Sequence, residues 1–98
     1  MKSSVIYNDT TKLNSKHLKI LRAIFHDPVR SDVQWTEVEA LPIALGAELS
    51  EGRGSRVRIY LNGTRAVLHR PHPQKEIDKG ALKSVRGLLA EAGIKPEE

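Results

Sequence analysis

Ninety-eight residues with 16 basic and 12 acidic side chains give a net charge of +4 and enough chain for one small domain with a modest core. The absence of cysteine excludes disulfides and thiolate metal sites and fits a reducing cytoplasm. No apolar run is long enough to span a membrane and no signal-like segment occurs, so a cytoplasmic protein with no membrane partner is expected.

Residues 1–14 read as a tail, mixing Val5, Ile6 and Tyr7 with a polar stretch, and 15–98 as a single domain. Asn14 or Ser15 can cap a first helix over 16–26, where Leu18, Leu21 and Phe25, with Ile24 beside them, form one apolar face. Asp27-Pro28 stops it, because a residue before proline avoids the α region. His17 and His26 stand at its ends, where a lone histidine is read as cap or solvated surface.

After a connection, Thr36 and Glu39 have the spacing of a capping box, with Trp35 just ahead of it. A second helix is expected over 37–45, burying Val38, Leu41 and Leu45 and ended by Gly46 as a left-handed residue. Pro42, beyond the first turn, removes a hydrogen bond and should kink or tighten that helix. A strand is expected over 47–50.

The segment from Gly52 to Pro73 organises the rest. Asn62-Gly63 is the dipeptide of a type I′ hairpin turn, and closing it there sets the register. Leu61 then faces Thr64, Tyr60 faces Arg65, Ile59 faces Ala66, Val57 faces Leu68 and Arg56 faces His69. Alternation places Val57, Ile59, Leu61, Ala66 and Leu68 on a buried face. Arg56, Arg58, Tyr60, Arg65, Val67 and His69 take the other. Pro71 and Pro73 turn the chain beyond the hairpin into an extended exit loop. A last helix from Asp78 or Lys79 to Ala92-Gly93 buries Leu82, Val85, Leu88, Leu89 and Ala92, and Lys79, Lys83 and Arg86 line a second, basic stripe.

The expected fold is therefore α+β: an α-β-β-β-α order with a three-stranded antiparallel sheet, helices packed on one face, and one extra N-terminal helix. Such a sheet leaves its other face open. Five arginines and no acid lie between Arg53 and Arg70, whereas acids gather from Glu37 to Glu51 and at the C-terminus. That stripe points to a polyanion, RNA or DNA being the commonest, although an acidic protein surface satisfies the same field and a solvated strand face is the plain alternative.

From Trp35 to Ile94 the chain resembles the HicA family, the toxin half of HicA–HicB type II toxin–antitoxin pairs in bacteria. "ALGAELSEGRGSRVRIYL" and "HRPHPQKEIDKGALKSVRGLLAEAGI" carry the likeness, as does the spacing between them. The Pro-His-Pro loop followed by an acid and a Lys-Gly that opens an amphipathic helix is the more specific run. The resemblance implies a double-stranded-RNA-binding-domain-like fold in an endoribonuclease that cleaves messenger RNA without an obligatory metal or cofactor. It also implies silencing by a HicB-type antitoxin. The helix over 16–26 lies outside it.

One position departs from the family. The resemblance implies Gly-Ser-His after the first hairpin turn, with a catalytic histidine, where this chain has Gly54, Ser55 and Arg56. Arginine stays charged and cannot accept a proton, but it binds phosphate and stabilises transition-state charge. Metal-free RNA cleavage needs a base for the 2′-hydroxyl, an acid for the leaving oxygen and a cation at the phosphate. The candidates are His69 and His72 for proton transfer, Arg56 at the phosphate, and Arg53, Arg58, Arg65, Arg70, Lys79 and Lys83 for RNA contact. His69 is the expected base, the imidazole having moved across the hairpin. His69-x-x-His72 is a poor metal pair, since no third ligand is indicated. Other readings are a catalytically silent RNA- or antitoxin-binding module and a pure protein-interaction domain.

Overall fold

The structure is a computed structural model and describes residues 13–72 and 74–96. The expected N-terminal tail falls outside these residues except at Leu13, which is buried, and Asn14. Pro73 of the exit loop also falls outside them. The elements run α1 (Ser15–Ile24), α2 (Trp35–Ala44), β1 (Glu48–Glu51), β2 (Arg56–Leu61), β3 (Thr64–His69) and α3 (Lys79–Glu91). The strands form one antiparallel sheet in the order β1-β2-β3. This is the α-β-β-β-α order of a double-stranded-RNA-binding-domain-like fold, preceded by one more helix. Among the described residues no helix is long and apolar enough to cross a membrane.

The hairpin pairs in the register that Asn62-Gly63 sets, from Leu61 opposite Thr64 to Arg56 opposite His69. Asn62 and Gly63 both have positive φ, 51° and 81°, as a type I′ turn requires. β1 joins the other edge of β2, with Glu48 opposite Tyr60 and Ser50 opposite Arg58. Val57, Ile59, Leu61 and Leu68 are buried in a core shared with Val38, Leu41, Leu82, Val85 and Leu89 from the helices. The opposite face keeps Arg56, Arg58, Tyr60, Arg65, Val67 and His69 exposed. Helices cover one side of the sheet, and among the described residues none covers the other.

α1 is two residues shorter than expected at its C-terminal end. Asn14 caps it, its Oδ1 accepting from the His17 backbone N–H at 2.8 Å. The helix adds Ile20, Leu21, Ala23 and Ile24 to the core, so it extends the core. Arg86 of α3 fastens its far end, donating from Nε to the Ile24 carbonyl at 3.1 Å and from a terminal nitrogen to the His26 carbonyl at 2.8 Å. These carbonyls have no helical partner, and a cation there also suits the helix dipole. Arg86 is therefore a clamp between helices, and the expected basic stripe keeps only Lys79 and Lys83 at the surface.

α2 starts two residues earlier than the capping box implied. Gln34 is the N-cap and makes no side-chain cap bond, while Trp35 is the first helical residue and is buried. What holds this start is tertiary. The Trp35 backbone N–H donates to the Lys75 carbonyl at 2.8 Å, and the Ile77 N–H donates to Val33 at 2.9 Å. The exit loop thus forms a short antiparallel bridge with the lead-in to α2, burying Val33 and Ile77. Pro42 tightens the end of the helix. Its carbonyl accepts from both Leu45 and Ala47, and the Gly46 N–H turns back to Ile43, with Gly46 at φ 92°. Those bonds make a Schellman ending. α3 begins where expected, capped by Asp78 accepting from the Ala81 N–H.

Candidate functional site

Strand pairing arranges the open face in three cross-strand rows. The first holds Glu48, Tyr60 and Arg65, the second Ser50, Arg58 and Val67, and the third Arg56 and His69. Directly opposed side chains on such rows have Cβ atoms about 5 Å apart. Both members of the third row project to the uncovered side and are exposed. Arg56 donates from Nε to His69 Nε2 at 3.4 Å, a long and weak hydrogen bond. A guanidinium can only donate, so in this contact Nε2 of the imidazole is the acceptor.

β1 does not extend far enough to fill the third row, and Gly52 takes the place beside Arg56. Its N–H donates to the Arg56 carbonyl at 2.9 Å. A Cβ built on Gly52 would lie 3.1 Å from the Arg56 Cβ, tight enough to press on that residue. Glycine at this position leaves the flank of Arg56 open. Arg58 directs one guanidinium nitrogen to the Glu51 carbonyl at 3.2 Å and lies across the end of β1.

Arg70 has a different environment. One terminal nitrogen donates to Glu51 at 2.8 Å, and the other is shared between Glu51 and Glu39, each at 2.9 Å. Its bonds to Glu51, and then its one bond to Glu39, hold the guanidinium firmly in the charged form. Its positive charge is already matched within the protein. The bonds from Arg70 in turn keep the Glu51 carboxyl below its ordinary range. Since Arg70 follows His69 directly, and its N–H donates to the Ser55 carbonyl at 2.8 Å, this network fixes the backbone from which the imidazole projects.

The remaining candidates are more dispersed. His72 is exposed in the exit loop, and among the described residues no hydrogen bond joins it to Arg56 or His69. Arg53 is exposed in the turn before β2, its carbonyl accepting from the Arg56 N–H at 3.2 Å. Lys79 and Lys83 are exposed on α3, in the helical layer on the other side of the sheet from the Arg56–His69 pair. Among the described residues no three histidine, aspartate or glutamate side chains converge as a metal site would need.

Sequence reading missed the face's β1 members. Glu48 and Ser50 line a shallow groove of about 380 Å³ in the middle of the open face, with Arg58, Tyr60, Arg65 and Val67. The signal was the alternation within Glu48–Glu51, which shows which residues share the face only once the partner register on β2 is known. The partners of Arg70 were also missed, because they come from α2 and β1.

A family model described as HicA toxin of bacterial toxin-antitoxin matches residues 35–94, which span α2 through α3 and leave α1 outside. No curated protein and no solved structure matches the chain.

Proposed function

This chain belongs to the HicA toxin family, whose membership implies an antitoxin partner, and from there we propose that it is a toxin that binds and cleaves messenger RNA on its open sheet face. The observation that carries this reading is the Arg56–His69 pair, a guanidinium of the kind that binds phosphate beside an imidazole of the kind that accepts a proton, on a face that the helices leave uncovered.

The chemistry follows from how the two groups hold each other. At rest the guanidinium occupies the Nε2 lone pair of His69. A phosphodiester competes for the same guanidinium and forms the stronger, charge-assisted bond. As Arg56 turns to phosphate, Nε2 is released to take the proton of the adjacent 2′-hydroxyl. The resulting oxygen attacks phosphorus, Arg56 stabilises the charge that builds on the phosphoryl oxygens, and the 5′-oxygen leaves with a proton, for which His72 is the nearest imidazole in sequence. Arg58 and Arg65 hold the strand, with Arg53 at one end. Lys79 and Lys83, on the helical layer, would meet only an RNA long enough to wrap the domain. No metal or cofactor takes part in these steps, and a HicB-type antitoxin silences the protein.

The test uses the full chain and RNA in EDTA. Wild type cleaves, and His69→Ala is slower by about 10²–10⁴-fold, the usual contribution of a general base. Cleavage by His69→Ala at the wild-type rate overturns the assignment. RNA binding without cleavage by either protein favours a silent binding module on the same face.

A further inference from the structure

The groove on the open face has an occupant-shaped asymmetry that the cleavage chemistry does not use. Its first row presents Glu48, Tyr60 and Arg65 side by side, with a carboxylate on β1, an aromatic ring on the central β2 and a guanidinium on β3. Tyr60 is 50 % exposed and Val67 57 %, so two large apolar side chains face solvent between arginines. Among the described residues neither Glu48 nor Arg65 has a side-chain partner, although they flank the same tyrosine.

We propose that this row is a nucleobase-reading subsite for single-stranded RNA that selects guanine, a step that rests on the open face being the RNA face. Charge complementarity fixes the orientation. The sugar-phosphate chain must lie over Arg58 and Arg65 and away from the Glu48 carboxylate, which directs the base over the Tyr60 ring and toward β1. Stacking on an aromatic side chain is how sheet faces hold unpaired bases, and any base can do it. Glu48 adds the selection. An ionised carboxylate only accepts, so it favours a base edge that only donates. Guanine offers N1–H and N2–H side by side to the two carboxylate oxygens. Tyr60 is four residues along β2 from Arg56, about 13 Å at the rise of a strand, so the base and the reacting phosphate belong to one strand crossing one face.

The experiment measures binding of uridine-tract oligonucleotides with a single guanosine, fully 2′-O-methylated so that no attacking hydroxyl is present. In two further oligonucleotides inosine or an abasic nucleotide replaces the guanosine. Against wild type, the abasic change weakens binding by about 5- to 150-fold, the range of one base–aromatic stack. Loss of the 2-amino group in inosine weakens it about ten-fold or more. Tyr60→Leu keeps apolar bulk without the ring and becomes indifferent to the abasic change, while Glu48→Gln becomes indifferent to inosine. Equal affinities for all three oligonucleotides overturn the subsite and leave the RNA face standing. Absence of binding even at low salt overturns the RNA face itself. The same dependence on the base in wild type and Tyr60→Leu places the reader elsewhere and also overturns the proposal.

Discussion

The indole Nε1–H of Trp35 donates to Glu39 Oε1 at 2.7 Å, and the other oxygen of that carboxylate accepts from Arg70 at 2.9 Å. Glu39 therefore joins the first turn of α2 to the chain just beyond His69, where a capping box would have turned it back on its own helix. Both bonds are partly shielded from water. Glu39→Ala leaves an indole N–H and one arm of a guanidinium without their partner, and is expected to destabilise the protein by about 1–3 kcal/mol in urea unfolding.

The Arg70–Glu51 pair sets a pH dependence whose sign follows from the direction of the shift. Glu51 is held below its ordinary value by the Arg70 bonds. Its contribution is fully present above the unfolded carboxyl value of about 4.3 and is lost as pH falls through the lower folded value. Thermal melts of wild type and Arg70→Met should differ at neutral pH and converge as the solution is acidified below about pH 4. A gap that stays constant down to pH 2 would show that the pair adds nothing through ionisation.

Exchanging the members of the third row tests whether it is the pair or the position that matters. The double variant Arg56→His, His69→Arg keeps a guanidinium opposite an imidazole and moves each by about 5 Å across the hairpin. It should retain cleavage within about ten-fold of wild type, whereas Arg56→Ala should lose about 10²–10³-fold. An exchanged pair as slow as Arg56→Ala would mean that the surroundings of each residue, and not their adjacency, carry the chemistry.

Contacts to phosphate have a separate signature in salt. If Arg58 and Arg65 each meet one phosphate of a single strand, Arg58→Gln and Arg65→Gln each lower the slope of log affinity against log salt by about 0.7. The same change at Arg70 should leave the slope nearly unaltered, because its guanidinium is already matched by Glu39 and Glu51.

Arg86 offers a test of how α1 is attached. Its two bonds to the Ile24 and His26 carbonyls are charge-assisted, and removing them in Arg86→Met should cost on the order of 1.5–3 kcal/mol. Hydrogen exchange should show protection falling first in α1, with β2 and β3 protected as before. A uniform loss across the protein would place α1 in the same cooperative unit as the sheet.

Local chemistry controls the parts of this protein that are legible residue by residue. Asn62-Gly63 has one favoured turn, and a period of two then assigns every side chain of the hairpin to a face, which is why Arg56 was legible as the neighbour of His69. The apolar spacing of Leu82, Val85 and Leu89 gave α3 its buried side in the same way. Thr36 and Glu39 failed as a cap for the opposite reason. Their spacing is a local signal, and it lost to Trp35, whose indole is buried and whose backbone N–H is taken by Lys75 from forty residues away.

What the sequence determined by itself was the hairpin, its two faces and the juxtaposition of a guanidinium with an imidazole, because each depends on bonds and steric limits among residues close along the chain. Tertiary structure alone decided which cations remain available to a polyanion. Arg70 and Arg86 look like their neighbours in the sequence, yet one is held between Glu39 and Glu51 and the other is fixed to the end of α1. A charge is free or committed according to what the fold brings within about 3 Å of it, and those partners come from elements that the spacing within one segment does not specify.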